Sequence, residues 1–155
     1  MLRLAVTLFL IPAVFAADPA GFAIWKTTDL KAIEKKLAPK AAANAGKVAS
    51  QPLADYGDHT TQVAHREGSG TAELHEKWAD IFIIHSGEAT ILIGGMIEDG
   101  KVTAPGEIRG PSLSGGAPHP VSAGDIVHIP ANTPHQMLVN SGKQVTYFVV
   151  KVASK

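Results

Sequence analysis

The chain has 155 residues, a length that predicts a single domain. Its 14 basic residues balance its 14 acidic residues, which argues against a nucleic-acid partner. The sequence contains no cysteine, which excludes disulfides, thiolate catalysis and cysteine metal ligands.

The N-terminus has the layout of a secretory signal peptide. Arg3 provides a positive start, residues 4–15 are mostly apolar, and the small residue Ala16 follows them. The apolar run is shorter than the roughly 20 residues that a membrane span needs. We therefore expect a signal peptide over residues 1–16 and no stable membrane span. The predicted location is the periplasm or the external medium, and the alternative is a buried N-terminal helix.

One short amphipathic helix is predicted next, within an N-terminal segment of residues 17–50. Polar residues at 27–29 offer caps, and Leu30, Ile33 and Leu37 follow at helical spacing. Pro39 is expected to end the helix. The apolar stripe is interpreted as a lid on the domain and not as a membrane-binding face.

From about residue 51 to residue 155, short β-prone runs alternate with glycine, proline, asparagine and aspartate breaks. Many short strands of this kind predict an all-β sandwich or barrel. The expected strands are 52–55, 59–66, 70–75, 80–85, 88–93, 106–109, 125–129, 135–139 and 144–152.

Two of the expected strands, near 80–84 and 90–93, are apolar on both faces. Such strands need cover on both faces. The N-terminal helix or a second subunit can supply that cover, and we therefore expect a homodimer.

The chemistry concentrates in two segments. In the first, strand alternation places Glu73 and His75 on one side, and Asp80 opens the otherwise apolar face formed with Phe82 and Ile84. An inward carboxylate needs a partner, which a metal ion would supply. In the second, a strand ends at 130 and His135 starts the return strand directly after a tight turn. A histidine held in this way suits a metal ligand.

Both segments resemble the two motifs of the cupin superfamily, a family of double-sheet jelly-roll β-barrels. The resemblance extends from about residue 59 to 151 and indicates a small single-domain cupin. The matching residues are His75 and Gly87 in the first motif, with Asp80 in register at the motif's glutamate position, and Gly124, Pro130 and His135 in the second.

The sequence also departs from the cupin pattern. Glu73 replaces the usual first histidine, and Asp80 replaces the glutamate. Asn132 replaces a glycine, although asparagine also tolerates a left-handed backbone. Val139 stands where an asparagine is usual. The ligand set that the resemblance implies is therefore Glu73, His75, Asp80 and His135.

Two histidines and two carboxylates suit a divalent ion, with Fe, Mn and Zn as the expected metals. The resemblance then implies a metal-dependent enzyme of the dioxygenase, lyase or isomerase type, acting on a small oxygen-rich molecule. Glu73 is the candidate general base if it is not a ligand. The alternative is a metal-free cupin that binds a small ligand without catalysis.

Arg109 and Trp78 are the candidate substrate-binding residues, because a guanidinium can clamp an anion and an aromatic ring can form a pocket wall. On the strand 59–66, His59 and His65 share one face, which is either a pocket wall or an ordinary surface. His85 is expected to face away from the site, and the direction of His128 stays open.

Overall fold

The computed structural model describes residues 17–154, so the expected signal peptide lies outside the described residues. Within that range the fold is mostly β-structure with one helix. In chain order the elements are α1 (Thr27–Ala43), β1 (Val48–Asp55), β2 (His59–Arg66), β3 (Ala72–His75), β4 (Trp78–Ile93), β5 (Met96–Glu98), β6 (Lys101–Ala104), β7 (Glu107–Gly110), β8 (Ser112–Ser114), β9 (Ala117–Ser122), β10 (Ile126–Ile129), β11 (His135–Leu138) and β12 (Val145–Ala153).

Two antiparallel sheets face each other and share the long strand β4. The first half of β4 pairs with β12 and β10, and β12 continues the sheet through β2 to β1. The second half pairs with β9 and β11, and β11 continues through β3 and β7 to β6. This is the curled double sheet of a jelly-roll barrel, as predicted.

Gly87 joins the two halves of β4, which the sequence had suggested to be separate strands 80–85 and 88–93. Its φ of 77° lies in the region that favours glycine. A side chain at this position would also collide with the carbonyl oxygen of Gln144. The glycine therefore lets one continuous strand pass from one sheet into the other.

Helix α1 packs on the outer face of the first sheet. Its Ile33 and Leu37 are buried against Val63 of β2 and Phe148 of β12, so the predicted lid is present. The cap comes from Asp29, whose carboxylate accepts a hydrogen bond of 3.0 Å from the backbone N–H of Lys26. The cap is therefore inside the first turn of the helix.

The prediction that Pro39 ends the helix was wrong. Pro39 lies inside α1, which continues to Ala43 before the first strand starts at Val48. Proline removes one helical hydrogen bond. The alanines that follow are strong helix formers, and Ala41 extends the buried stripe and is fully buried. Burial of this last turn outweighs the lost bond.

The barrel core lies between the two sheets. The predicted inward face of β4 is present, because Asp80, Phe82 and Ile84 are all buried. The outward face of the same strand is only partly covered. Ile83 is 37% exposed beside its cross-strand neighbour Ile126, which is 70% exposed. Helix α1 packs elsewhere on the sheet, so the homodimer stays a prediction.

Among residues 17–154, no helix is long and apolar enough to cross a membrane.

Candidate metal centre

Three buried side chains from the two sheets converge inside the barrel. His75 ends β3, Asp80 lies near the start of β4, and His135 begins β11. The Nε2 atoms of His75 and His135 lie 3.3 Å and 3.5 Å from the same carboxylate oxygen, Oδ2 of Asp80. One ligand atom from each residue lies within 4.8 Å of the others, a spacing that one metal ion could bridge.

The orientation of both imidazole rings suits metal binding. Nδ1 of His75 lies 2.6 Å from Glu107 Oε2, and Nδ1 of His135 lies 3.0 Å from the carbonyl oxygen of Thr133. A carboxylate and a carbonyl can only accept hydrogen bonds, so each Nδ1 must donate. Each Nε2 can then offer its lone pair to an ion, which is the usual arrangement of ligating histidines.

Asp80 is a charged group in a buried position. Burial alone would raise the pKa of its carboxyl, but the contacts with His135, His75 and Lys151 outweigh burial and hold that pKa far below its usual range. Lys151 Nζ lies 3.0 Å from Oδ1 of Asp80. The carboxylate is therefore ionised, with one oxygen towards the histidines and the other towards a lysine.

The pKa of His75 is shifted in the opposite direction to that of Asp80. Burial alone would lower the pKa of its imidazole, yet the contact with Asp80 outweighs burial and raises that pKa above the usual value. The raised pKa means that Asp80 stabilises a proton on Nε2 of His75. A bound cation would replace that proton.

Glu73 lies beside this group, but its strongest contact is with an arginine. Its Oε2 is 2.6 Å from Nη1 of Arg109 and 3.7 Å from Nε2 of His75, while Oε1 is 3.5 Å from Nη2 of Arg66. The cross-strand register Glu73↔Arg109 explains the pairing. The close three-ligand group contains Asp80 and not Glu73, so ligation by Glu73 stays a prediction.

A cavity of about 430 Å³ opens next to the three-ligand group. His75, Asp80 and Glu73 reach its surface, together with Arg109, whose side chain is 40% exposed. The other lining residues are Val48, Ser50, Gln62, Ala64, Arg66, Phe82, Glu107, Tyr147, Val149 and Lys151. The cavity is large enough for a small organic molecule.

Known proteins identify the fold. Comparison with protein-family models gives no match, and comparison with curated proteins gives none. Among solved structures, a double-stranded β-helix protein from Klebsiella pneumoniae is 17% identical, with a TM-score of 0.53 over 72% of this chain and 82% of that chain. A cupin 2 conserved barrel domain protein from Rhodopseudomonas palustris is 25% identical, with a TM-score of 0.50 over 70% of this chain and 62% of that chain. The chain has the fold of a small single-domain cupin.

A third similar structure is a predicted oxalate decarboxylase from Thermotoga maritima, 15% identical, with a TM-score of 0.51 over 68% of this chain and 80% of that chain. This chain covers less than two thirds of the Rhodopseudomonas palustris cupin. Identities this low establish the cupin fold without identifying a reaction.

The turn of the second cupin motif behaves as its sequence suggested. Asn132 has a φ of 59°, so it adopts the left-handed backbone that a glycine usually supplies. Its N–H donates a hydrogen bond of 2.7 Å to the carbonyl oxygen of His75. The turn that delivers His135 is thereby attached to the strand that carries the other histidine.

The remaining sequence candidates lie elsewhere in this cupin. Trp78 starts β4 opposite Ala153 and does not line the cavity, so its role in substrate binding stays a prediction. His65 is fully buried, but its Nδ1 contacts Thr146 Oγ1 on the helix side of the sheet. His85 faces away from the site, as expected, with Nε2 3.8 Å from Glu34. His59 is half-buried beside Asp58 and stacks on a tyrosine.

Three residues at the cavity were not singled out from the sequence as site residues: Arg66, Glu107 and Lys151. Glu107 holds His75, and Lys151 holds Asp80. Nε of Arg66 donates a 2.8 Å hydrogen bond to the hydroxyl of Tyr147, whose pKa is raised mainly by burial. Strand alternation places Arg66 on the opposite face of β2 from His65, but only the packing of helix α1 shows that this face is inward.

Proposed function

We propose that this cupin is a metal-dependent enzyme in which His75, Asp80 and His135 hold one divalent ion. The observation that supports the proposal is the ring orientation described above. Both histidines have their Nδ1 atoms engaged and aim Nε2 at one carboxylate oxygen. Two histidines and one carboxylate leave coordination positions open for substrate, as in other catalytic sites of this composition.

The donor set of imidazole nitrogen and carboxylate oxygen suits Fe, Mn or Zn. When bound, such an ion can polarise a substrate oxygen or activate water or dioxygen. The substrate is a small oxygen-rich molecule in the cavity of about 430 Å³. The reaction is of the dioxygenase, lyase or isomerase type.

The chain's own residues divide the remaining work. Glu73 lies 3.7 Å from the ligand atom of His75 and lines the cavity, so it is in position to accept a proton from a bound substrate. Arg109 holds the Glu73 carboxylate at 2.6 Å and also reaches the cavity mouth. Burial of Asp80 and His135 limits access of bulk water to the ligand atoms.

The test is the metal content of protein purified without a histidine tag, followed by a turnover screen of small acids, sugars and phenols. We expect about one equivalent of Fe, Mn or Zn in the wild type. His135→Ala should remove both the metal and any turnover. His128→Ala is the matched control, because His128 is an exposed histidine of β10. Wild-type protein that takes up less than about a tenth of an equivalent would contradict the proposal.

A second candidate function is a non-catalytic binding module without metal. It is favoured by the pairing of Asp80 with Lys151 and of Glu73 with Arg109, which balances the buried charge without an ion. In that case a ligand should raise the melting temperature of metal-free protein. Metal-dependent turnover would exclude this alternative.

Export is a further part of the proposal, and it rests on residues 1–16 alone. N-terminal sequencing of protein from the cell envelope of an expressing bacterium should find Ala17 as the first residue. Mature protein that retains Met1 would contradict export by this route.

A further inference from the structure

We propose that the cavity binds a small organic carboxylate and that metal binding prepares the site for it by releasing Lys151 from Asp80. The inference rests on the proposed metal site and goes beyond it, because it names the class of substrate and the residue that recognises it. It also predicts that the metal and the carboxylate bind cooperatively.

The charge of the cavity lining is the first argument. Arg66, Arg109 and Lys151 contribute three positive charges, and Glu73, Asp80 and Glu107 contribute three negative charges. The lining is therefore neutral when the histidines are neutral. A divalent ion on His75, Asp80 and His135 leaves two positive charges in excess, and a carboxylate ligand would offset one of them.

Asp80 divides its contacts between the two histidines and a lysine. Oδ2 faces the two histidine Nε2 atoms, and Oδ1 pairs with Lys151 Nζ at 3.0 Å. An ion on Oδ2 would withdraw charge from the carboxylate and repel the ammonium. Lys151 has a flexible stem and a side chain that is 22% exposed, so its ammonium can turn towards a ligand.

Arg109 is a second cation close to His75. Glu73 lies between them, because its Oε2 is 3.7 Å from His75 Nε2 and 2.6 Å from Arg109 Nη1. Lys151 is likewise separated from the His75 ligand atom by one carboxylate, that of Asp80. Two cations of the cavity lining are therefore each separated from the coordination position by one carboxylate.

A carboxylate fits this arrangement better than a phosphate. The Asp80 carboxylate already shows the geometry, with one oxygen towards the metal position and the other towards Lys151. A ligand carboxylate can divide its two oxygens between the ion and the same ammonium. A phosphate dianion would bring more negative charge close to Glu73 and Glu107, which also line the cavity.

The test compares lactate with lactamide, which have nearly the same shape and differ in charge. Isothermal titration of zinc-loaded wild-type protein should give an affinity for lactate about tenfold higher than for lactamide. In metal-free protein the preference should nearly disappear. By linkage, lactate should raise the zinc affinity by the same factor as zinc raises the lactate affinity.

In zinc-saturated protein, the variant Lys151→Met should bind lactate about tenfold more weakly than the wild type does. Lys151→Arg should keep most of the affinity. The control is Lys143→Met, because Lys143 is an exposed lysine that pairs with Glu88 and does not line the cavity. If Lys151→Met does not fold, Arg109→Gln provides the same comparison of lactate affinity at the second cation of the cavity.

The outcomes separate the two proposals. Wild-type protein that binds no metal overturns both of them. Zinc-loaded protein with equal affinities for lactate and lactamide overturns only the carboxylate inference. Unchanged lactate preference in Lys151→Met overturns the role of Lys151, and tighter binding of inorganic phosphate than of lactate overturns the ligand class.

Discussion

Glu107 provides the sharpest prediction about the metal site, because it does not touch the ion position itself. It lies opposite His75 in the β3–β7 register and holds the Nδ1 atom of that histidine at 2.6 Å. The carboxylate fixes the direction in which Nε2 points and makes the imidazole a stronger donor. Weakening this contact should therefore weaken metal binding while leaving all three ligands in place.

The size of the effect follows from the contact. Losing the hydrogen-bonded partner of a ligating histidine typically reduces metal affinity by about 10- to 100-fold, or about 1.4 to 2.8 kcal/mol. The Glu107 side chain is 22% exposed, so water can replace part of the lost interaction. We therefore expect about a tenfold loss for Glu107→Gln, whose amide oxygen still accepts, and a larger loss for Glu107→Ala.

The assay is competition for zinc against a coloured chelator at fixed pH. Glu88→Gln is the matched control, because Glu88 is an exposed glutamate that contacts Lys143 away from the cavity. Zinc affinities of Glu107→Gln and Glu107→Ala that equal the wild-type value would refute the idea that Glu107 orients the His75 ligand.

Three further predictions concern stability, pH and assembly. Leu37→Ala should lower the free energy of unfolding in urea by about 2–5 kcal/mol, because Leu37 of helix α1 is 1% exposed. A loss no larger than that of Lys36→Ala, at an exposed residue of the same helix, would contradict the packing. In metal-free protein the raised pKa of His75 adds stability below about pH 6.5, and this stability is lost as pH rises through the raised pKa. The difference in unfolding free energy between wild type and His75→Gln should therefore shrink as pH rises, and a difference independent of pH would contradict the shift. Gel filtration at micromolar concentration should show a dimer that Ile126→Asp disrupts, and monomeric wild type would rule out the predicted homodimer.

Local pattern predicted much of the architecture and the placement of several side chains. Alternation along β4 correctly placed Asp80, Phe82 and Ile84 on the inward face. His135 does begin a strand after a turn whose Asn132 is left-handed. These features depend on a few consecutive residues, so a sequence can indicate them without knowledge of strand pairing.

The partners of the site residues could not be predicted in the same way. Glu107 meets His75 because β7 pairs with β3, and Lys151 meets Asp80 because β12 pairs with β4. Both contacts depend on the register between strands that are distant in sequence. A shift of one residue would turn either side chain to the other face.

Two other features depended on tertiary packing. Alternation showed that His59 and His65 share a face of β2 but not which face is inward, and helix α1 settles this by covering the side that carries His65. Burial of Ala41 likewise carries the helix through Pro39, where local propensity alone predicts an end. In both places the packing of α1 on the sheet determines the outcome.

The most direct test of the metal site is a crystal structure of the protein with anomalous data collected at the absorption edge of the metal found by elemental analysis. We predict one anomalous peak inside the barrel, about 2.0–2.2 Å from Nε2 of His75, Nε2 of His135 and a carboxylate oxygen of Asp80. A barrel without such a peak in metal-saturated crystals, or a peak bound by other residues, would contradict the proposed metal centre.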